Sequence, residues 1–208
     1  MKKYAFLFIA FLLVGVGVSA QESRPFKRVE NQVQAGGGLF LETGKDYRIK
    51  SQNPGIVLRL SYGLDIRLGE HWSVMPGAGI RTQAGGILKS DKDRGFTDKD
   101  NMTLADCFVT ARYHLELAGH RIVFGLGPAF SYMLSPARYH DANFTGEKYR
   151  RSDIGIQPSV TFLCGEHFQW GLEANIGLKD LRIVYMDLNT PFSPTYLNYL
   201  ALTCGWRF

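Results

Sequence analysis

Ile56-Val57-Leu58-Arg59-Leu60-Ser61-Tyr62-Gly63-Leu64-Asp65-Ile66-Arg67-Leu68 is the stretch that decides the fold. Its even-numbered positions are Ile, Leu, Leu, Tyr, Leu, Ile and Leu. The odd positions between them are Val, Arg, Ser, Gly, Asp and Arg. Side chains alternate across a strand, whereas a helix brings them round every 3.6 residues. Strict period two over this length specifies a strand with one apolar face.

The same period recurs on both sides of it. Ile122 to Tyr132, Asp153 to Phe162, Phe168 to Ile176 and Leu200 to Phe208 alternate in the same way. Three weaker stretches, Val33–Leu41, Trp72–Leu88 and Met102–Leu115, bring the strands to eight. Gly69–His71, Glu116–His120 and Gly165–His167 read as tight turns. Between them lie four long polar segments, Glu42–Pro54, Lys89–Asn101, Ser135–Arg151 and Lys179–Pro194. Short turns at one end and long loops at the other describe an outer-membrane barrel, with the loops outside. The expected fold is all-β, an eight-stranded antiparallel up-and-down transmembrane β-barrel.

The beginning of the chain agrees with that destination. Lys2 and Lys3 precede an apolar run from Tyr4 to Val18, and Val18-Ser19-Ala20 supplies a cleavage context before Gln21. The run is about 15 residues, short of the roughly 20 a spanning helix needs. No later apolar run approaches that length, so a membrane-embedded mature chain has to cross as a closed barrel. Residues 1–20 are expected to be a cleaved signal peptide, 21–32 a short periplasmic segment, and 33–208 the barrel. The net charge is +5, part of it from Lys2 and Lys3, and the cations are scattered. Such a distribution gives no nucleic-acid footprint.

Lipocalins are also exported eight-stranded barrels, but with an apolar interior and a polar exterior. Here one face is large and aliphatic throughout, while the other is mostly Gly, Ser, Thr and Ala with scattered charges. A narrow membrane barrel fills its interior in this second way. Trp72, Tyr113, Phe168, Trp170, Trp206 and Phe208 all fall near the short-turn end, as a periplasmic aromatic girdle would.

The ending Leu202-Thr203-Cys204-Gly205-Trp206-Arg207-Phe208 carries apolar or aromatic residues at alternate positions up to a final Phe. With Val18-Ser19-Ala20-Gln21 and Gly125-Leu126-Gly127-Pro128, it resembles the PorT-like outer-membrane β-barrel family of small OmpX/OmpA-type barrels. The resemblance implies a terminal strand read by the barrel-assembly machinery. It implies architecture more than activity, because members differ in role.

The residues with chemical potential lie on the inward parity: Arg59, Asp65, Arg67, Arg81, Asp106, Arg112, Glu173 and Arg207. Folding the second and third strands about their turn sets Arg59 level with Arg81, so Asp106 or Glu173 is expected to reach between them. A structural polar plug and a charged lining for a narrow conduit are the two readings of this set. Cys107, Cys164 and Cys204 fall on strands four, six and eight, never adjacent in a meander, and read as apolar lipid-facing residues. An enzyme acting on lipid A is a further alternative, for which His140 beside Asp141, with Ser135 upstream, is the only triad-like setting. No cofactor, metal or catalytic residue is expected. The expected partners are outer-membrane lipid and lipopolysaccharide, met partly by basic residues of the third outside loop such as Arg150 and Arg151, together with the assembly machinery and other envelope proteins. The expected function is non-enzymatic contact with ligands or partners through four extracellular loops, with a narrow solute pore as the second reading.

Overall fold

A strand in lipid must pair both its edges, and eight alternating strands do so by closing on themselves. The computed structural model describes residues 29–44, 54–84, 101–117, 120–136, 138–141, 144–147, 149–181 and 194–208, the two short segments 138–141 and 144–147 by backbone alone. In chain order the strands are β1 (Val29–Thr43), β2 (Gly55–Arg67), β3 (Trp72–Ala84), β4 (Asn101–Leu117) and β5 (His120–Ser135). They continue as β6 (Arg138–Asp141), β7 (Phe144–Glu147), β8 (Ser152–Cys164), β9 (Phe168–Gly177) and β10 (Tyr196–Arg207). Eight of them form a closed barrel in the order β1-β10-β9-β8-β5-β4-β3-β2, and β6 and β7 form a separate hairpin. Every pairing in the barrel is antiparallel.

The faces follow the alternation. Along β2, Leu58 is 61% exposed while its neighbour Val57 is fully buried, and the pattern repeats through Leu60 and Ser61. A membrane barrel is thus apolar outside, and its interior, rather than a core between layers, is where packing happens.

The backbone requires glycine at several sites, and two of them show the two reasons. Gly165, in the turn from β8 to β9, has φ +67°, a left-handed conformation that costs other residues about 1–2 kcal/mol. Gly38, on the closing pair β1–β10, has no room for a Cβ, which would run into the Leu200 carbonyl oxygen. The two backbones approach too closely there for any side chain.

The structure departs from the sequence reading in four places. Strand β1 begins at Val29, so Val29–Gln32 belong to the wall and pair with Ile66–Gly63 instead of forming a periplasmic lead. Glu116, expected in a turn, is in β4 and pairs with Arg121. The third outside segment contains the β6–β7 hairpin, which no periodicity announces. The outer part of the interior is apolar: Phe40, Val57, Met102, Leu104, Met133, Leu197 and Tyr199 are buried there in one cluster. The other outside segments fall largely beyond the described residues, as do the expected leader 1–20 and the side chain of His140.

Candidate functional site

The lumen is organised in layers along the barrel axis. Its inward side chains come from alternate positions of all eight strands, so register determines which of them meet. Pairing sets Arg59 of β2 opposite Arg81 of β3, as the turn between them requires. Two guanidinium groups side by side in a closed interior need shared counter-charge.

Asp106 of β4 supplies it to both. Its Oδ1 lies 3.3 Å from Arg81 Nη2 and its Oδ2 lies 4.0 Å from Arg59 Nε. Glu173, on the far wall in β9, forms an ion pair with Arg59 through Nη1. Both carboxylates therefore serve, and the four charges balance. Tyr199 donates to Glu173 at 2.6 Å, Gln157 donates to Tyr199 at 3.1 Å, and Arg81 donates to Ser131 at 3.0 Å. The Arg81 guanidinium also sits 4.9 Å from the Tyr199 ring, and Arg59 sits 4.9 Å from Phe108. This is a cross-braced layer that spans the lumen.

A second layer lies nearer the short-turn end. Arg112 donates to Asp65 at 2.9 Å and to Gln32 at 2.9 Å, and Gln32 also donates to Asp65 at 3.1 Å. Gln169 adds a bond to Gln32 at 3.2 Å. Arg207 pairs with Glu30 at 3.0 Å, and Arg67 is half-buried at the same end of the lumen. Glu30 and Gln32 had no role in the sequence reading because their segment was placed outside the wall. Inward parity carried back from Gln34 would have found them.

This layer also brings together Ser73, His114 and Asp65, which resemble a nucleophile, base and acid. Ser73 Oγ lies 2.8 Å from His114 Nε2. Asp65 approaches the same nitrogen, at 3.9 Å, instead of Nδ1. A triad acid works by orienting the ring through the nitrogen opposite the nucleophile. Ser73 and His114 are 1% and 5% exposed, so no acyl substrate reaches them. The cluster is a buried hydrogen-bond network.

Between the two charged layers is a cavity of about 10 Å³, bordered by Thr110, Arg112, Gln157, Ser159, Thr161 and Glu173 among others. That is room for about one water molecule. Above the outer charged layer, the apolar cluster is completed by Tyr149 and Leu181, 2% and 0% exposed, which come from outside segments and fold into the mouth. Tyr149 bonds Glu42 through its hydroxyl, Leu181 N donates to Thr195 O at 3.0 Å, and Arg150 N donates to Leu181 O at 2.6 Å. Nothing in the strand alternation pointed to this stopper. Its signal was Phe40-Leu41 and Met102 to Ala105, where apolar residues fall on both faces.

On the outer surface, Trp72, Phe168, Trp206 and Phe208 are exposed, while Tyr113 and Trp170 are half-buried. All six are near the short-turn end. They are braced edge-on at Trp72–Tyr113 (5.1 Å) and by stacking at Phe162–Trp170 (4.6 Å) and His167–Trp206 (5.3 Å). The three cysteines carry free thiols, with Cys107 and Cys204 exposed on the apolar outside and Cys164 half-buried.

The family model of the outer membrane protein beta-barrel domain matches residues 14–182. Among solved structures, neisserial surface protein A superposes with a TM-score of 0.51 at 11% identity, over 86% of this chain and 97% of that one. The attachment invasion locus protein Ail of Yersinia pestis gives 0.48 at 13% identity, over 88% and 100%. OprG from Pseudomonas aeruginosa gives 0.44 at 10% identity, over 86% and 96%. No curated protein matches the chain in sequence. The family match over most of the length, together with the closed eight-stranded barrel, identifies the chain as an outer-membrane protein that belongs to the outer membrane protein beta-barrel domain family.

Proposed function

We propose that this protein is a sealed, non-enzymatic outer-membrane barrel that acts through its extracellular loops on ligands or envelope partners. The observation that carries the reading is the stopper: Tyr149 and Leu181, delivered by two outside segments, complete an apolar cluster that fills the mouth. An ion or polar solute would have to shed most of its water there, at a steep cost in free energy. A narrow pore is disfavoured further by the cross-braced charges and the single-water cavity beneath. Catalysis on lipid A is disfavoured by the placement of Asp65 and the burial of Ser73.

The aromatic band at the short-turn end is the proposed periplasmic membrane boundary, where amphipathic rings settle. Strand β10, which closes the wall against β1, is the segment we propose for the assembly machinery. Within its family, we propose that the chain groups with the PorT-like and small OmpX/OmpA-type members. Ion conductance of the refolded protein in a planar bilayer tests the central reading, with heat-shifted gel mobility to establish folding. A folded protein that passes no current is expected, and steady reproducible channels would overturn the reading.

A further inference from the structure

One polar side chain is built into the apolar stopper. Gln83 points inward from β3, paired with Val57 of β2 and Met102 of β4, both members of the cluster. It is 0% exposed, and neither its Oε1 nor its Nε2 meets a hydrogen-bond partner among the described residues. Two positions further in, Arg81 Nε and Nη1 are also buried without a partner among those residues. An amide closed off like this gives up its bonds to water and receives none in return. Closing the mouth over Gln83 therefore has a cost, and any arrangement that lets water reach the amide relieves it.

The cluster is also divided mechanically. Phe40, Val57, Met102, Leu104, Met133 and Leu197 stand on barrel strands, whose ladders hold them. Tyr149 and Leu181 lie outside the strands and are fastened to each other, because Arg150 N donates to Leu181 O at 2.6 Å. Their ties to the wall sit at strand ends. The Tyr149 hydroxyl bonds Glu42, Leu181 N donates to Thr195 O at 3.0 Å, and the adjoining Arg151 O accepts from Met133 N at 2.7 Å.

We infer that Tyr149 and Leu181 form a lid that lifts as one piece and admits water and small polar solutes to a blind vestibule floored by Gln83 and the Arg81 layer. A pocket of this kind belongs to a minor conformation in exchange with the closed one. The inference rests on the stopper of the proposed sealed barrel. Conductance does not report the lid, since the charged layer beneath keeps the barrel silent with the lid up or down. A chemical probe of the mouth does report it, so the two readings fail separately.

Two methionines of the cluster supply the readout. Met102 and Met133 are 1% and 0% exposed beneath the lid. Met75 is buried deeper, with its sulfur 3.2 Å from Arg112 Nη1, and the outer charged layer shields it from the mouth. The test exposes the refolded barrel in lipid vesicles to dilute hydrogen peroxide and reads initial sulfoxide formation at each methionine by peptide mass spectrometry. Met102 and Met133 are expected to oxidise faster than Met75 by about tenfold or more. Gln83→Leu gives the closed lid an apolar floor and should slow both by about tenfold or more, with heat-shifted gel mobility establishing that the variant is folded. Tyr149→Phe removes one hydroxyl, leaves the strands unchanged and should speed both by about threefold or more, which keeps the lid testable if Gln83→Leu does not fold. Oxidation of Met102 and Met133 no faster than that of Met75 would overturn the inference, as would the native rate in either folded variant.

Discussion

Asp106 holds two arginines with one carboxylate, and this makes it the most exacting single position in the lumen. Removing its charge leaves Arg59 with Glu173 alone and Arg81 with Ser131 and the neighbouring buried Asp153. Breaking a buried pair typically costs about 3–5 kcal/mol, because the remaining charge stays out of water. Asp106→Asn, nearly the same in shape, is therefore expected to destabilise the barrel by about 3–5 kcal/mol, read from urea unfolding in lipid vesicles. A loss below 1 kcal/mol would mean that water already reaches Arg81. Of the charges that parity assigned to the interior, seven are buried and Arg67 is half-buried, while Asp153, buried on the same parity, was not singled out; the Arg59–Arg81 level followed from one turn. What parity does not give is the partner across the lumen. Arg59 meets Glu173 from the far wall, and Ser73 meets His114 across a strand pair, because tilt and closure set those heights.

At the scale of the element, β2 was readable throughout because each outward residue is large and apolar. The start of β1 was not, since Val29-Glu30-Asn31-Gln32 has one apolar residue in four. Pairing with β2 makes it a strand, and Tyr62 fastens it by donating to Asn31 at 2.6 Å. The β6–β7 hairpin was equally silent, with four-residue strands too short to display a period. The position of β2 across the bilayer gives a graded expectation. Leu60, near the strand's middle, and Ile66, near its short-turn end, both face outward. An arginine on the lipid face costs about 2–4 kcal/mol at the midplane and about 0–1 near an interface. Leu60→Arg should accordingly lose about 2 kcal/mol or more relative to Ile66→Arg in vesicle unfolding. Equal losses would mean that the strand sits at another depth.

The whole molecule places two closures in series along one axis: an apolar stopper at the mouth and a cross-braced layer of four charges beneath it. Each comes from a different rule. On the proposed sealed reading, the stopper excludes ions by refusing them hydration, and the charged layer by filling the section with side chains held to one another. Resistances in series add, so opening one closure leaves the other in control. Leu104→Ala with Leu197→Ala removes two fully buried stopper residues and should cost about 2–5 kcal/mol for each site. It should nevertheless leave the folded barrel silent in a planar bilayer. Exchanging Arg59 and Glu173 for alanine should also leave it silent, because the stopper remains. Only the combination of both changes is expected to pass steady current. If the stopper variant conducts alone, the charged layer is no barrier and the lumen is a conduit with a removable cap. If the combined variant stays silent while folded, the closure lies lower, at the Asp65–Arg112–Gln32 layer.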